Sequence, residues 1–394
     1  MLKIDRVRYS LYESVYFDAV YENLERMKPG NTDSRRFGEL EEIQKSPRTI
    51  RMLVFELSVF GILPENYPVV REAREMDEWD EKDLRDAVRW LLLADYQTQK
   101  KCVEKIYAVE CRYKELSRGN GTTPNDTIFI SRIESGREFL DYFQRNAYKT
   151  LRRTEIPDLW ERASLDDRLT VPEAVAQAAD LRVCPYCGRS FIGIKRDKEK
   201  PVNLGLQLDH FFSRDRFPHF AVSLYNLIPC CGICNLIKGA EYEPELISPL
   251  DEENDFDKKV TFRFDFDQLP GIGELRKVRI LVDEKEPDSN RYNKNIEFFH
   301  LDEAYGFHRD EAAGMCGKIM SYPKSLVEEI SAMMHGEVKE YPGEDDIRAL
   351  ARQKSDLEFD LEQMIFEEAF SEQSDFRKKP LAKLYRDLYL NYRE

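Results

Sequence analysis

The sequence predicts an α+β protein, in which mainly helical N-terminal and C-terminal regions surround a central segment held by four cysteines. Three observations support this prediction: apolar residues recur at helical spacing towards both ends, two Cys-x-x-C pairs enclose the centre, and alternating apolar residues follow it. With 394 residues, the chain is long enough for two or three folded units. We expect these units to cover residues 1–175, 176–250 and 251–394.

Helical spacing predicts the N-terminal elements. Apolar residues repeat over 48–63 and again over 83–116, and Pro64 breaks the first run. Glycine, asparagine and proline cluster in 117–126 and predict a loop, after which a second helical piece covers 135–153. Its end is basic and aromatic, which suits either contact with phosphates or a solvated helix face. The side chains concerned are Tyr142, Arg145, Tyr148, Lys149, Arg152 and Arg153.

Alternating apolar residues predict a β-hairpin after the centre, because every second side chain of a strand points to the same face. The alternating residues are Val260, Phe262, Phe264 and Phe266 and then Val278, Ile280 and Val282. Helical spacing returns from about residue 293 and is clearest in 326–334 and 357–370.

Charge is distributed unevenly along the chain. The net charge of −15 argues against broad contact with nucleic acid, whose phosphates repel an acidic surface. However, residues 181–240 carry nine basic and four acidic side chains, whereas 1–180 carry 29 and 34 and 241–394 carry 22 and 37. One basic segment in an acidic body predicts local binding of nucleic acid, although charge counts in so short a window also fluctuate.

The sequence contains neither a signal peptide pattern at its start nor an apolar run long enough to span a bilayer. We therefore expect a cytoplasmic protein with no membrane partner. Eight cysteines are too sparse for a disulfide scaffold, and in a reducing compartment paired cysteines point to a metal. We expect Cys102, Cys111 and Cys316 to be ordinary buried thiols.

Two cysteine pairs predict a structural zinc site. Cys184 with Cys187 and Cys231 with Cys234 supply four thiolates, which fill the tetrahedral coordination of Zn²⁺ and leave no position for a substrate. Cys230 with Cys234 is an alternative second pair, but Cys-x-x-C closes the turn more naturally. A thiol redox pair is the alternative for Cys184 and Cys187, and the absence of a thioredoxin-like βαβ pattern disfavours it.

Three further motif elements lie between and after these pairs. Asp209 and His210 end an alternating run over 204–210, Asn226 enters the next apolar run, and Asn235 and Lys238 follow the last cysteine. In this order the elements resemble the HNH endonuclease superfamily, also called the ββα-metal fold. The resemblance covers residues 184–239 and implies a ββα-metal module with its zinc at the centre of the chain.

The resemblance also implies a metal-dependent endonuclease that hydrolyses phosphodiester bonds of nucleic acid, by default DNA. His210 would be the general base, and Asp209 and Asn235 would hold a catalytic Mg²⁺ or Mn²⁺. Asn226 would orient the loop that carries the histidine. Asn235 replaces the final histidine of the class, which favours Mg²⁺ over a softer metal. We expect Lys238 to be a solvent-exposed lysine at the helix end, with a phosphate contact as the alternative.

The amino-acid sequence at 184–188, 208–211 and 223–229 is similar to that of HNH effectors in bacterial anti-phage defence, such as the nuclease partner of an ATPase in Septu-type systems. This resemblance implies a regulated effector with a separate ATPase or sensor protein as partner, because the chain has no Walker motif of its own. Two alternatives stay open: a zinc-stabilised nucleic-acid-binding module with a vestigial nuclease site, and an HNH nuclease of a restriction system or mobile element.

Overall fold

The computed structural model describes residues 2–27, 48–64, 79–118, 123–157, 159, 168–195, 202–266, 275–283, 285, 288–334, 359–370 and 375–393. Within these residues, helices alternate with small two-stranded antiparallel sheets. The predicted α+β class is therefore confirmed. No helix in this part of the chain combines the length and the hydropathy that crossing a membrane requires.

Helices build the described part of the N-terminal region. They are α1 (Arg6–Arg26), α2 (Arg48–Val59), α3 (Glu81–Leu93), α4 (Tyr96–Arg118) and α5 (Pro124–Leu151). The run predicted over 83–116 is two helices, because the backbone turns at Ala94 and the Asp95 carboxylate accepts a bond from the Thr98 N–H at 2.7 Å. Helix α5 begins before the predicted residue 135, since Thr123 and Asp126 form a capping box at its start.

A short sheet and a helix lead into the central segment. These elements are β1 (Glu155–Pro157), β2 (Arg168–Thr170) and α6 (Val171–Ala178). The centre itself contains β3 (Ile194–Lys195), β4 (Val202–Asn203), β5 (Leu206–His210), β6 (Leu227–Cys231) and α7 (Gly232–Lys238). Strands β5 and β6 are antiparallel, with Leu206 opposite Cys231 and His210 opposite Leu227. The central segment thus forms two paired strands that run directly into a helix.

The predicted β-hairpin is confirmed. A helical turn, α8 (Phe256–Lys259), precedes β7 (Val260–Phe266) and β8 (Leu275–Val282), and residues 267–274 lie outside the described residues. The register pairs Val260 with Val282, Phe262 with Ile280 and Phe264 with Val278. All but Val282 of these six side chains are buried, as their alternation predicts.

Helices form the rest of the described C-terminal region. They are α9 (Ser289–Phe298), α10 (Leu301–Gly306), α11 (Arg309–Ser321), α12 (Lys324–Met334), α13 (359–365) and α14 (Ala382–Tyr392). The helical run predicted over 326–334 lies within α12. Of the run predicted over 357–370, residues 357–358 lie outside the described residues and the helix ends at 365.

Buried residues from all three predicted units form one continuous core. Helix α1 fastens the N-terminal region to the central segment, because Tyr9 donates to the carbonyl oxygen of Leu227 at 3.3 Å and Tyr16 to that of Val222 at 2.7 Å. Two of the three thiols expected in the core, Cys102 and Cys316, are buried. The expectation for Cys111 was wrong: this residue is half-buried, since the buried residues of α4 end at Ile106.

Candidate metal centre and catalytic site

Four sulfur atoms meet at one end of the central segment. The Sγ atoms of Cys184, Cys187, Cys231 and Cys234 all lie within 4.8 Å of one another, and all four residues are buried. A tetrahedral zinc ion with Zn–S bonds of ~2.3 Å holds its sulfurs about 3.8 Å apart. The cluster therefore has the donor set and the size to hold such a metal, and the prediction that these four cysteines converge is confirmed.

A tight turn builds the first cysteine pair. Gly188 has a φ of +64° and its N–H donates to the carbonyl oxygen of Cys184 at 2.8 Å. A Cβ at this position would lie 3.2 Å from the hydroxyl oxygen of Tyr305, so both the backbone conformation and the space favour glycine. The same Tyr305 hydroxyl donates to the carbonyl oxygen of Cys187 at 2.8 Å and ties the turn to α10.

The second pair lies where β6 meets α7. Cys231 caps the helix, and its sulfur accepts a bond from the Cys234 N–H at 3.5 Å. Hydrogen bonds from the neighbouring cysteines lower the pKa of Cys231, and the positive end of a helix also favours a thiolate. Cys230 is fully buried outside the cluster, and all eight cysteines are free. Cys231, as predicted, is the partner of Cys234.

Strand β5 separates the predicted catalytic residues onto two faces. Alternate side chains of a strand share a face, so Gln207 and Asp209 lie on one side and His210 on the other. Gln207 and Asp209 contact side chains of α7. The ring of His210 contacts Tyr148 of α5, with 4.6 Å between ring centroids. The side chains that bond to Asp209, Tyr186 and Lys238, come from the central segment, whereas Tyr148 of the N-terminal region borders the histidine.

Asp209 is buried with two partners. Its Oδ1 lies 3.2 Å from Nζ of Lys238, and its Oδ2 accepts a 2.6 Å bond from the hydroxyl of Tyr186. Burial raises the pKa of the carboxyl, while the charge of Lys238 and hydrogen bonds from Tyr186, Lys238 and the backbone of His210 oppose that rise. Sequence reasoning did not find Tyr186, although its position between Cys184 and Cys187 places it beside the cluster.

The expectation of a solvent-exposed Lys238 was wrong. The lysine is 1% exposed, and besides pairing with Asp209 it donates to the carbonyl oxygen of His210 at 2.7 Å. A buried ammonium requires such partners, and both lie at the end of β5. Lys238 therefore ties the end of α7 to the strand residues that carry the motif.

Asn235 lies on the same side of the strand as Asp209. Its amide nitrogen donates to Oε1 of Gln207 at 2.6 Å, so its carbonyl oxygen takes no part in that bond. The side chain is half-exposed, in contrast to Asp209, which is 3% exposed. A buried carboxylate and a half-exposed amide side chain thus both lie between β5 and α7.

His210 is held by a backbone carbonyl. Its Nε2 lies 2.9 Å from the oxygen of Ala221, and a carbonyl oxygen can only accept, so Nε2 carries the proton. Nδ1 is then the basic nitrogen of the neutral ring. Burial lowers the pKa of His210 to about 3, so the ring is neutral at pH 7 but is a weaker base than a solvated histidine.

Asn226 fixes the chain immediately after His210. Its Oδ1 accepts from the N–H of Phe212 at 2.7 Å, and its Nδ2 donates to the carbonyl oxygens of Phe212 and Phe220, both at 3.0 Å. The side chain is fully buried. These bonds join the two ends of the segment that follows β5 and orient the backbone there.

No protein-family model matches this chain, and no curated protein or solved structure matches it either.

Proposed function

We propose that the chain is a metal-dependent HNH endonuclease that hydrolyses phosphodiester bonds of nucleic acid, with DNA as the default substrate. One observation supports the proposal: two antiparallel strands and a helix follow one another beside a four-cysteine cluster. Asp209 and His210 end the first strand, and Asn235 lies on the helix. The proposal takes these three residues as the motif residues of an HNH site.

His210 acts as the general base in this proposal. Nδ1 accepts a proton from water as the water oxygen forms a bond to phosphorus and the bond from phosphorus to O3′ breaks. O3′ takes a proton from solvent, which leaves a 3′-hydroxyl and a 5′-phosphate. The bond from Nε2 to the Ala221 carbonyl fixes both the tautomer and the ring orientation. Asn226 positions the segment after the histidine by binding its backbone.

Two different metals suit the two donor sets. Four buried thiolates favour a structural Zn²⁺, whereas the carboxylate of Asp209 and the amide oxygen of Asn235 favour Mg²⁺ or Mn²⁺. Such a cation, when bound, supplies positive charge to the scissile phosphate and the leaving oxygen. Because Lys238 already pairs with Asp209, the cation must share this carboxylate with the lysine or displace it.

Cleavage of plasmid DNA in Mg²⁺ or Mn²⁺ tests the proposal. We expect His210→Ala to lower the rate by about 10² to 10⁴-fold, the usual contribution of a general base. His219→Ala is a matched control, because His219 is 1% exposed, lies in the same segment and contacts Phe60 instead of the motif residues. Equal cleavage by the wild type and His210→Ala contradicts the proposal, and so does a wild type inert towards both DNA and RNA.

A zinc-stabilised nucleic-acid-binding module with a vestigial site is the second candidate. The buried pair of Asp209 with Lys238 favours it, since a paired carboxylate is a weaker ligand for a second cation. This candidate predicts that the zinc-loaded protein binds DNA but neither binds Mn²⁺ nor cleaves. The role as an anti-phage effector with an ATPase partner, and the alternative origin in a restriction system or mobile element, stay predictions from the sequence resemblance.

A further inference from the structure

The last turn of α5 lies against the candidate general base. The ring of Tyr148 meets that of His210 edge-on, at 4.6 Å between centroids and 68° between planes. Helix α5 belongs to the N-terminal region, which the HNH resemblance does not cover. One side of the candidate site is therefore formed by Tyr148, which lies outside the motif-bearing segment 184–239.

Two arginines converge on the same tyrosine. The guanidinium carbon of Arg214 lies 4.5 Å from the centroid of the Tyr148 ring. Arg152 follows Tyr148 by one helical turn, so the two side chains share a face of the helix end. Burial raises the pKa of Tyr148, and the charges of Arg152 and Arg214 oppose that rise, as expected of guanidinium groups close to the ring.

Neither guanidinium group has an acidic partner among the residues that the structure describes. Asp215, the acidic neighbour of Arg214, instead accepts a bond from Gln144 at 3.4 Å. Arg152 is exposed and Arg214 is half-exposed. In a chain with a net charge of −15, two guanidinium groups beside one tyrosine, without an acidic partner among the described residues, concentrate positive charge at this point.

The helix dipole explains only part of this arrangement. Basic side chains stabilise the C-terminal end of a helix, and that effect accounts for Lys149 and Arg152. It does not account for Arg214, which lies in the segment after β5 and reaches the same ring from a different direction.

We propose that Arg152 and Arg214 bind backbone phosphates of the nucleic acid beside the scissile bond, with Tyr148 orienting the guanidinium group of Arg214. This inference rests on the proposed function, and it specifies which part of the nucleic acid binds at the C-terminal end of α5. A guanidinium group matches the geometry of a phosphate, and stacking over the Tyr148 ring orients the guanidinium group of Arg214. The N-terminal region thus completes the substrate site in addition to supporting the fold.

Binding without cleavage tests the proposal. The zinc-loaded full chain carrying His210→Ala is titrated against a short fluorescein-labelled DNA duplex and the matching single strand, in buffers of increasing salt without divalent cations. Adding Arg152→Gln and Arg214→Gln should weaken binding on the order of tenfold and lower the slope of log Kd against log salt by about 2, one unit for each lost phosphate contact. Replacing both arginines by lysine should retain most of the slope.

Lys114→Gln with Arg118→Gln is the matched control. Both residues are exposed at the C-terminal end of another helix, α4, and replacing them removes the same two positive charges. Circular dichroism and zinc content establish that each variant is folded. Binding by the Arg152 and Arg214 variant that equals that of the parent or of the control overturns the proposal, as does a parent that does not bind. The experiment measures affinity and not cleavage. A chain that binds DNA through these residues but never cleaves it would therefore contradict the proposed endonuclease activity and leave the binding proposal intact.

Discussion

The two chemically distinct regions of the central segment satisfy their polar groups in different ways. In the cysteine cluster, the four sulfurs have one another as neighbours and share one buried space. In the motif site, each side chain is held by a separate group of the protein. Asp209 pairs with Lys238 and Tyr186, Asn235 with Gln207, and His210 with the carbonyl of Ala221.

This difference matches the two roles that we propose. Four thiolates around one metal ion would fill all of its coordination positions, so such an ion would stabilise the fold and would not bind a substrate. The motif residues each have a partner that fixes their orientation, which is the arrangement that the proposed catalytic role requires.

Removing the metal from the cysteine cluster should have the largest effect. Cys231→Ala leaves three ligands, and structural zinc sites typically contribute ~10–16 kcal/mol of binding energy to folding. We expect this variant to lose its zinc, as measured by mass spectrometry of metal content, and the cooperative unfolding of the central segment. Cys230→Ala is the matched control, since Cys230 is adjacent and buried but outside the cluster.

Equal zinc content in these two variants would contradict the assignment of Cys231. A wild-type chain purified without any metal, and with no uptake of added Zn²⁺, would contradict the structural role of the cluster.

Breaking the buried pair in the motif site should have an intermediate effect. Lys238→Met leaves the buried carboxylate of Asp209 without its cationic partner. An uncompensated buried charge usually lowers the free energy of unfolding by about 3–5 kcal/mol. The side chains of this pair are 1% and 4% exposed. Adding Asp209→Asn to Lys238→Met should recover part of the loss, because no buried charge then remains. Denaturant unfolding of the single and double variants measures the coupling.

An exposed pair gives the reference for this comparison. Lys318 and Glu368 are 42% and 46% exposed, so Lys318→Met should cost less than about 1 kcal/mol. If Lys238→Met costs no more than Lys318→Met, the account of Lys238 as a buried tie between α7 and β5 is wrong.

Local patterns predicted much of the fold. The hairpin follows from alternation that begins at Val260, and the cluster follows from two Cys-x-x-C pairs, because in both cases neighbouring residues carry the signal. The division of the run over 83–116 depends on a turn at Ala94, where no proline or glycine marks the break. Periodicity extends through such a turn, so the sequence alone does not reveal it.

Contacts between distant segments account for what the sequence did not predict. Lys238 has the sequence context of a solvated helix end, and its burial depends on where Asp209 lies in the folded chain. Likewise, the basic and aromatic end of α5 suited contact with phosphates, but the sequence did not indicate that Tyr148 contacts His210. The sequence shows the order of the motif residues, but only the folded structure identifies the groups that form hydrogen bonds and ion pairs with them.

Binding of Mn²⁺ to the zinc-loaded protein, followed by electron paramagnetic resonance, tests most directly whether Asp209 and Asn235 form a catalytic cation site. We expect one bound Mn²⁺ per chain and an affinity at least about tenfold lower in Asn235→Ala. Asn293→Ala, which removes an exposed amide from α9, should bind like the wild type. Absence of Mn²⁺ binding, or equal affinity in Asn235→Ala and the wild type, would contradict the account.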